Sequence, residues 1–392
     1  MAALLQAEPG PACFEDMVQV LRRWLASAHT CEQERALQVC IQLLGAHKEG
    51  REHRRGRACK QFGCLVGLLG PLTSDVPAAS CQRATTYLGR LLQIGAPAET
   101  TEVATEEIGH LCEKLNTDAA ESLLATSVNI AEIICKYFPR GQATDFMSAV
   151  AESLLCARPM CAQAAGRWML TFLGECREQI LKEEVPEIVT TLYTCLRSSR
   201  QSTPRGFVLR AMLLLARSHQ EPVLDSLLQQ RLPTDSDTVE LWRSLGRSAL
   251  GCPILVRLTE KLRAAGESRC GSDCCAWELG SSQAALEPRT ITCALSEVVS
   301  VLLSETLVQR LLPSLLPCLL GQVSETLGEE MALSVREQGS DDPPGRLFVE
   351  ALELVLARCL EERWLRLLRK QGAWASLAEP WAHMVGVCLL AS

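Results

Sequence analysis

The chain has 392 residues, enough for two or three ordinary domains or for one extended array of repeats. Apolar residues make up 47% and aromatics only 4%, a balance that excludes disorder over most of the length and favours helices packed on helices. A net charge of −7 argues against a protein whose main business is coating nucleic acid, because phosphate contacts need Lys and Arg.

The N-terminal stretch Met1 to Met17 carries Glu8, Glu15 and Asp16 and no basic region ahead of an apolar core, so no secretory leader is expected. A polar, basic loop is expected over 45–60. Its cations are Lys48, Arg51, Arg54, Arg55, Arg57 and Lys60, with His47 and His53 between them. Such a run reads either as a solvated inter-helix loop or as a nuclear-targeting or phosphate-binding patch, and it has no interleaved aromatics for base stacking.

From there the apolar residues recur at helical spacing. Over Ala79 to Ile94, Cys81, Ala84, Tyr87, Leu88, Leu91 and Leu92 make one face, with Gln82, Arg83, Arg90 and Gln93 between them. Leu123 to Phe138 repeats the pattern, and Pro139-Arg140-Gly141 ends it. Several segments share a paired form. Leu65 to Leu92 has a Leu-rich first helix, a turn at Thr73-Ser74-Asp75 and a second helix. Phe146 to Cys176 turns at Arg158-Pro159, and Ile188 to Ser218 turns at Gln201 to Pro204. Leu311 to Leu327 with Leu347 to Leu360 is a looser copy. Helical pairs that recur at about 40–47 residues cannot bury their faces alone, and stacked neighbours bury them for each other. The expected fold is all-α: a right-handed superhelical stack of antiparallel helix pairs, a HEAT/armadillo-like solenoid. Its expected parts are a helical array over 1–265 with the basic loop, a flexible loop over 266–288, and helical repeats over 289–392 with an acidic linker at 339–345.

Candidate chemistry is sparse. The 20 cysteines are mostly placed in apolar helical faces, among them Cys40, Cys112, Cys135, Cys156, Cys195, Cys318 and Cys359, which points to reduced core packing. Cys270, Cys274 and Cys275 cluster as C-x3-C-C without a nearby His, Cys252 and Cys293 form no paired motif, and Cys59 and Cys64 stand alone as C-x4-C. Structural zinc needs four ligands in paired groups, so no metal site is expected. No Walker loop, GxGxxG or GxSxG occurs. His29, His47, His53, His110, His219 and His383 lack partners at catalytic spacing. The pairs Glu183-Glu184 and Glu329-Glu330 read as solvated charge near helix ends. Trp168, Trp242 and Trp364 are expected to pack within the array. The most apolar stretch, Val298 to Leu320, is broken by Glu305, Arg310 and two prolines, and Met384 to Ala391 is too short to cross a bilayer.

Three stretches, Leu65 to Leu72 (LVGLLGPL) with its following helix, Val185 to Val189 (VPEIV) and Leu232 to Leu262 with Leu241-Trp242-Arg243-Ser244-Leu245, resemble the maestro heat-like repeat family across about residues 14–330. The resemblance implies a HEAT-like helical array and a role in protein interaction, with no catalytic or cofactor residues to carry over. The expected function is a non-enzymatic scaffold or adaptor with protein partners, inside the cell and in the cytoplasm first. The alternative is a nuclear or RNA-associated factor that uses the basic run from Lys48 to Lys60.

Overall fold

The computed structural model describes residues 20–25, 27, 29–51, 61–74, 78–95, 98–115, 119–229, 235–270, 286–333 and 345–391, and regular structure among them is helical throughout. The chain divides into two compact units, Met1–Ser226 and Leu227–Ser392.

The first unit holds α1 (Thr30–Arg51), α2 (Phe62–Leu69) with a 3-10 turn (Gly70–Ser74), α3 (Ala78–Gly95), α4 (Ala98–Glu113), α5 (Ala120–Lys136) and α6 (Ala143–Leu154). It continues through α7 (Pro159–Glu175), α8 (Val185–Ser198), α9 (Ser202–Ser218) and most of α10 (Gln220–Leu228). Helices α2, α6 and α8 pack side by side in one layer, while α5, α7 and α9 form a second. Each pair, α6 with α7 and α8 with α9, joins the two layers. The repeat is visible in the contacts: Trp168 meets Ser127, and Cys176 meets Cys135, across 41 residues each. That offset is the period of a helical-pair repeat.

The sequence dictates the joints. Pro139-Arg140-Gly141 stops the chain after α5, with Gly141 in the left-handed region at φ 77°. Pro159 opens α7 at its first turn, where a missing N–H costs nothing. Helix α2 and the first residue of its 3-10 turn present Gly63, Gly67 and Gly70 in one row. A Cβ there would stand 2.3 Å from the Gln142 carbonyl oxygen, 2.7 Å from that of Phe146 and 2.7 Å from the Trp168 ring. The absence of side chains lets α2 lie directly on α6 and the 3-10 turn lie against α7.

Scarce aromatics are concentrated in this core. Phe62, Phe138, Phe146 and Phe172 are four of the chain's seven phenylalanines. The Phe138 ring lies 5.7 Å from Phe62, 5.7 Å from Phe146 and 4.7 Å from Phe172, edge-on to each, the preferred geometry for aromatic pairs.

The second unit holds α11 (Ser236–Arg247), α12 (Gly251–Cys270), α13 (Leu286–Val301), α14 (Glu305–Leu333), α15 (Gly345–Ala357), α16 (Glu362–Lys370), α17 (Ala373–Ala378) and α18 (His383–Ala391). Helices α11, α13 and α15 pack in sequence, as do α12 and α14. Asp235 caps α11 by accepting from the Thr238 backbone N–H and hydroxyl, each at 2.9 Å. Gly246 lets α11 approach α13, since a Cβ there would sit 2.8 Å from Val301.

Several expectations are revised. The loop expected over 45–60 starts later, because α1 runs on to Arg51. Ala46, Lys48 and Glu49 are good helix formers, which lets the helix absorb Gly45 and Gly50. Likewise α12 extends to Cys270, through the start of the loop expected over 266–288, and α13 begins at Leu286 before that loop's expected end. Residue 265 lies within α12, and the compact units divide between Ser226 and Leu227. Gly345, expected in the acidic linker 339–345, is the buried first residue of α15; the rest of that linker lies outside the described residues. Trp168 and Trp242 are 1% exposed, as core packing requires. Trp364 is 47% exposed, because Leu365 is the residue that α16 buries.

Candidate functional site

The layer α2–α6–α8 carries an open groove of about 340 Å³ between its last two helices. Ser148, Ala151 and Glu152 of α6 with Leu155 just past its end line one side; Glu187, Thr190, Thr191, Thr194 and Cys195 of α8 line the other. The spacing places each set on one helix face. The floor is apolar and hydroxylic, and the carboxylates of Glu152 and Glu187 stand at the rim.

Glu152 already holds a cation. The guanidinium of Arg22, from the helical segment 20–25, forks onto it: Nε donates to Oε2 at 2.6 Å and a terminal nitrogen donates to Oε1. The same nitrogen donates to Ser148 Oγ at 3.1 Å. Burial works against the charge of Arg22, but the hydrogen bond and charge of Glu152 outweigh it and hold the Arg22 pKa above its ordinary value. Leu21 and Leu25 anchor the segment in the core at 6% and 2% exposure.

The remaining groups are quiet. Thr190 and Thr194 donate to the carbonyls of Pro186 and Thr190 one turn back, at 2.9 and 2.8 Å. Burial pushes the Cys195 thiol up to about 11, so at neutral pH it is protonated and a poor nucleophile. With Glu152 held by Arg22, Glu187 is the lining carboxylate left to meet a positive or donor-rich side chain.

A second cavity, of about 310 Å³, lies between α5 and α7 against Glu132, Cys135, Lys136, Glu175 and Gln179. Beside it the Cys176 thiol donates to the Cys135 carbonyl at 3.5 Å. The hydrogen bond to Cys135 and burial raise the Cys176 pKa, which keeps it a packing thiol.

Of the residues singled out in the sequence, Cys195 lines the groove and Cys135 the second cavity, both as packing thiols. Lys48 and Arg51 belong to the last turns of α1, while Arg54, Arg55, Arg57 and Lys60 lie outside the described residues. Cys270 ends α12, and Cys274, Cys275 and Cys59 lie outside the described residues. Cys64 is buried in α2 with its thiol pushed up to about 11 by burial. Among the described residues no three His, Cys, Asp or Glu are grouped so as to hold a metal ion. His110 is exposed on α4. His383 is buried, with Nε2 2.7 Å from Ser324 Oγ and Nδ1 3.0 Å from the Leu377 carbonyl oxygen. That carbonyl only accepts, so Nδ1 carries a proton.

Sequence reasoning missed Glu184. Read as solvated charge, it instead accepts from the backbone N–H groups of Ala143 at 2.8 Å and Thr144 at 3.3 Å, at the N-terminus of α6. A carboxylate there meets unpaired donors and the positive end of the helix dipole. The Arg22–Glu152 pair spans 130 residues, and no local pattern signals it.

Two layers of helices repeating at one period, with a groove and no reactive constellation on it, define a helical-repeat protein of the HEAT class. The family described as Maestro, HEAT repeats matches residues 31–252, and the chain belongs to that family. It is 31% identical over its whole length to a maestro heat-like repeat-containing protein family member 1 from Mus musculus, covering 25% of that protein. Member 2A from Homo sapiens is 24% identical, again over all of this chain and 24% of its own length. The chain therefore spans about a quarter of the length of the relatives it matches. Among the described residues no helix is long and apolar enough to cross a membrane.

Proposed function

We propose that the chain is a non-enzymatic protein-interaction scaffold, and that the α6/α8 groove takes a partner segment through a basic side chain. The observation that carries this reading is the pairing of Arg22 with Glu152 and Ser148 at the groove rim. It supports a rim that accepts a guanidinium, and Glu187 offers a second carboxylate opposite. The apolar floor would take the neighbouring side chains of the segment. A few directional polar groups around an apolar floor are the usual makings of a binding site.

A peptide-display selection on the whole chain tests this, run beside Thr191→Trp, which fills the groove, and Glu187→Lys, which reverses one carboxylate. Expected are peptides enriched in Arg or Lys on the unaltered chain, with at least tenfold weaker binding to both variants. Enriched peptides that bind all three chains equally would place the interaction elsewhere.

A further inference from the structure

Helix α16 reads ERWLRLLRK and buries only Leu365. At 100° per residue, Leu367 and Trp364 form an exposed ridge, and Arg363, Lys370 and Arg366 lie along its flank. The Arg363 guanidinium sits 5.2 Å from the Trp364 ring centroid and pairs with Glu361 at 2.8 Å. Arg369, next to Arg366 on the side nearer the buried Leu365, is tied to Glu353 at 2.8 Å. Arg366 and Lys370 have no ion-pair partner among the described residues. Helix α18, packed on the same short α17, adds Met384 at 69% exposure, and the turn ahead of it adds Trp381 at 83%. From Arg358 to Ala391 there are five Lys or Arg against three Glu, a net +2 in a chain whose total is −7.

We propose that α16 docks the chain peripherally on an anionic lipid surface. Trp364 and Leu367 enter the headgroup region, and Arg363, Arg366 and Lys370 face the lipid phosphates. An amphipathic helix with a cationic flank and a Trp/Leu ridge lies in the plane of such an interface. Charge complementarity selects this occupant. A second copy meeting the same face two-fold would set these cations against themselves. A further helix pair of the array would meet a different surface: the joint α2/α6 sets Gly63 and Gly67 against Gln142, Phe146 and Ala149 and carries no cation.

The test is flotation of the whole chain with phosphatidylcholine vesicles, with and without phosphatidylserine, beside light scattering for mass. Expected is flotation with the serine lipid that weakens as salt rises. Arg366→Gln and Lys370→Gln should each lower binding about fivefold, and Trp364→Ala should lower it further. All three positions are exposed, and an unchanged thermal melt confirms that the variants fold. Absence of flotation with the anionic vesicles overturns the proposal. So does flotation that the three variants leave unchanged, or a dimer that Trp364→Ala dissociates without any vesicle binding.

Discussion

At the residue scale, stability in the first unit turns on a buried polar chain. Trp168 Nε1 donates to Ser127 Oγ at 2.8 Å, Ser127 and Thr73 share a hydrogen bond of 2.6 Å, and Thr73 donates to the Gly70 carbonyl at 2.6 Å. Ser127→Ala leaves the indole N–H unpaired in the core and is expected to cost about 1–3 kcal/mol, read as a shift in denaturant midpoint. Adding Trp168→Phe removes the orphaned donor, so the double variant should lose less than the sum of the two single losses. The buried thiols make a second prediction. Burial pushes Cys40 up to about 12 from an ordinary 9.0, and Cys293 up to about 11. The unfolded chain then loses these protons first as pH rises, so the native state binds more protons above pH about 9. Stability should be full below that pH and fall progressively through the folded-state values, measurable as denaturant midpoints at pH 8 and pH 10. A midpoint that rises over that interval would contradict the assignment of these thiols to the core.

At the element scale, the joints matter more than the helices. Gly67→Ala places a Cβ 2.7 Å from the Phe146 carbonyl and 2.8 Å from Ala149 Cβ, so α2 must move off α6. Overpacking of this kind costs about 1–3 kcal/mol in thermal or chemical unfolding. Glu184→Ala uncaps α6 and should cost about 1 kcal/mol, a typical capping value. The helices themselves were legible from the sequence. The faces of Ala79–Ile94 and Leu123–Phe138 match α3 and α5 within a few residues, because the 3.6-residue period is a local property. The turn residues were legible as well, since Pro159 and Gly141 act through their own backbones. What escaped was long-range. Glu184 reaches α6 across 41 residues, and Gly63 reaches Gln142 across 79. Periodicity cannot tell which apolar side of α16 finds a partner, so it points Trp364 into the packing although the residue is exposed.

At the scale of the whole chain, membership in the Maestro HEAT-repeat family and the layers of paired helices support the proposed reading of a binding surface. The candidate groove was not foreseen, because it is assembled from α6 and α8 and from Arg22 far upstream; neither half announces it. The basic run that did stand out is divided between the end of α1 and residues outside those described. The central claim is that partners engage the α6/α8 groove. Amide hydrogen exchange of the whole chain, with and without a saturating Arg-containing peptide from the display selection, tests it most directly. Slowed exchange is expected around 148–155 of α6 and its end and around 187–195 of α8 alone, and none of it in Thr191→Trp. Slowed exchange in other helices, with these two unchanged, would contradict it.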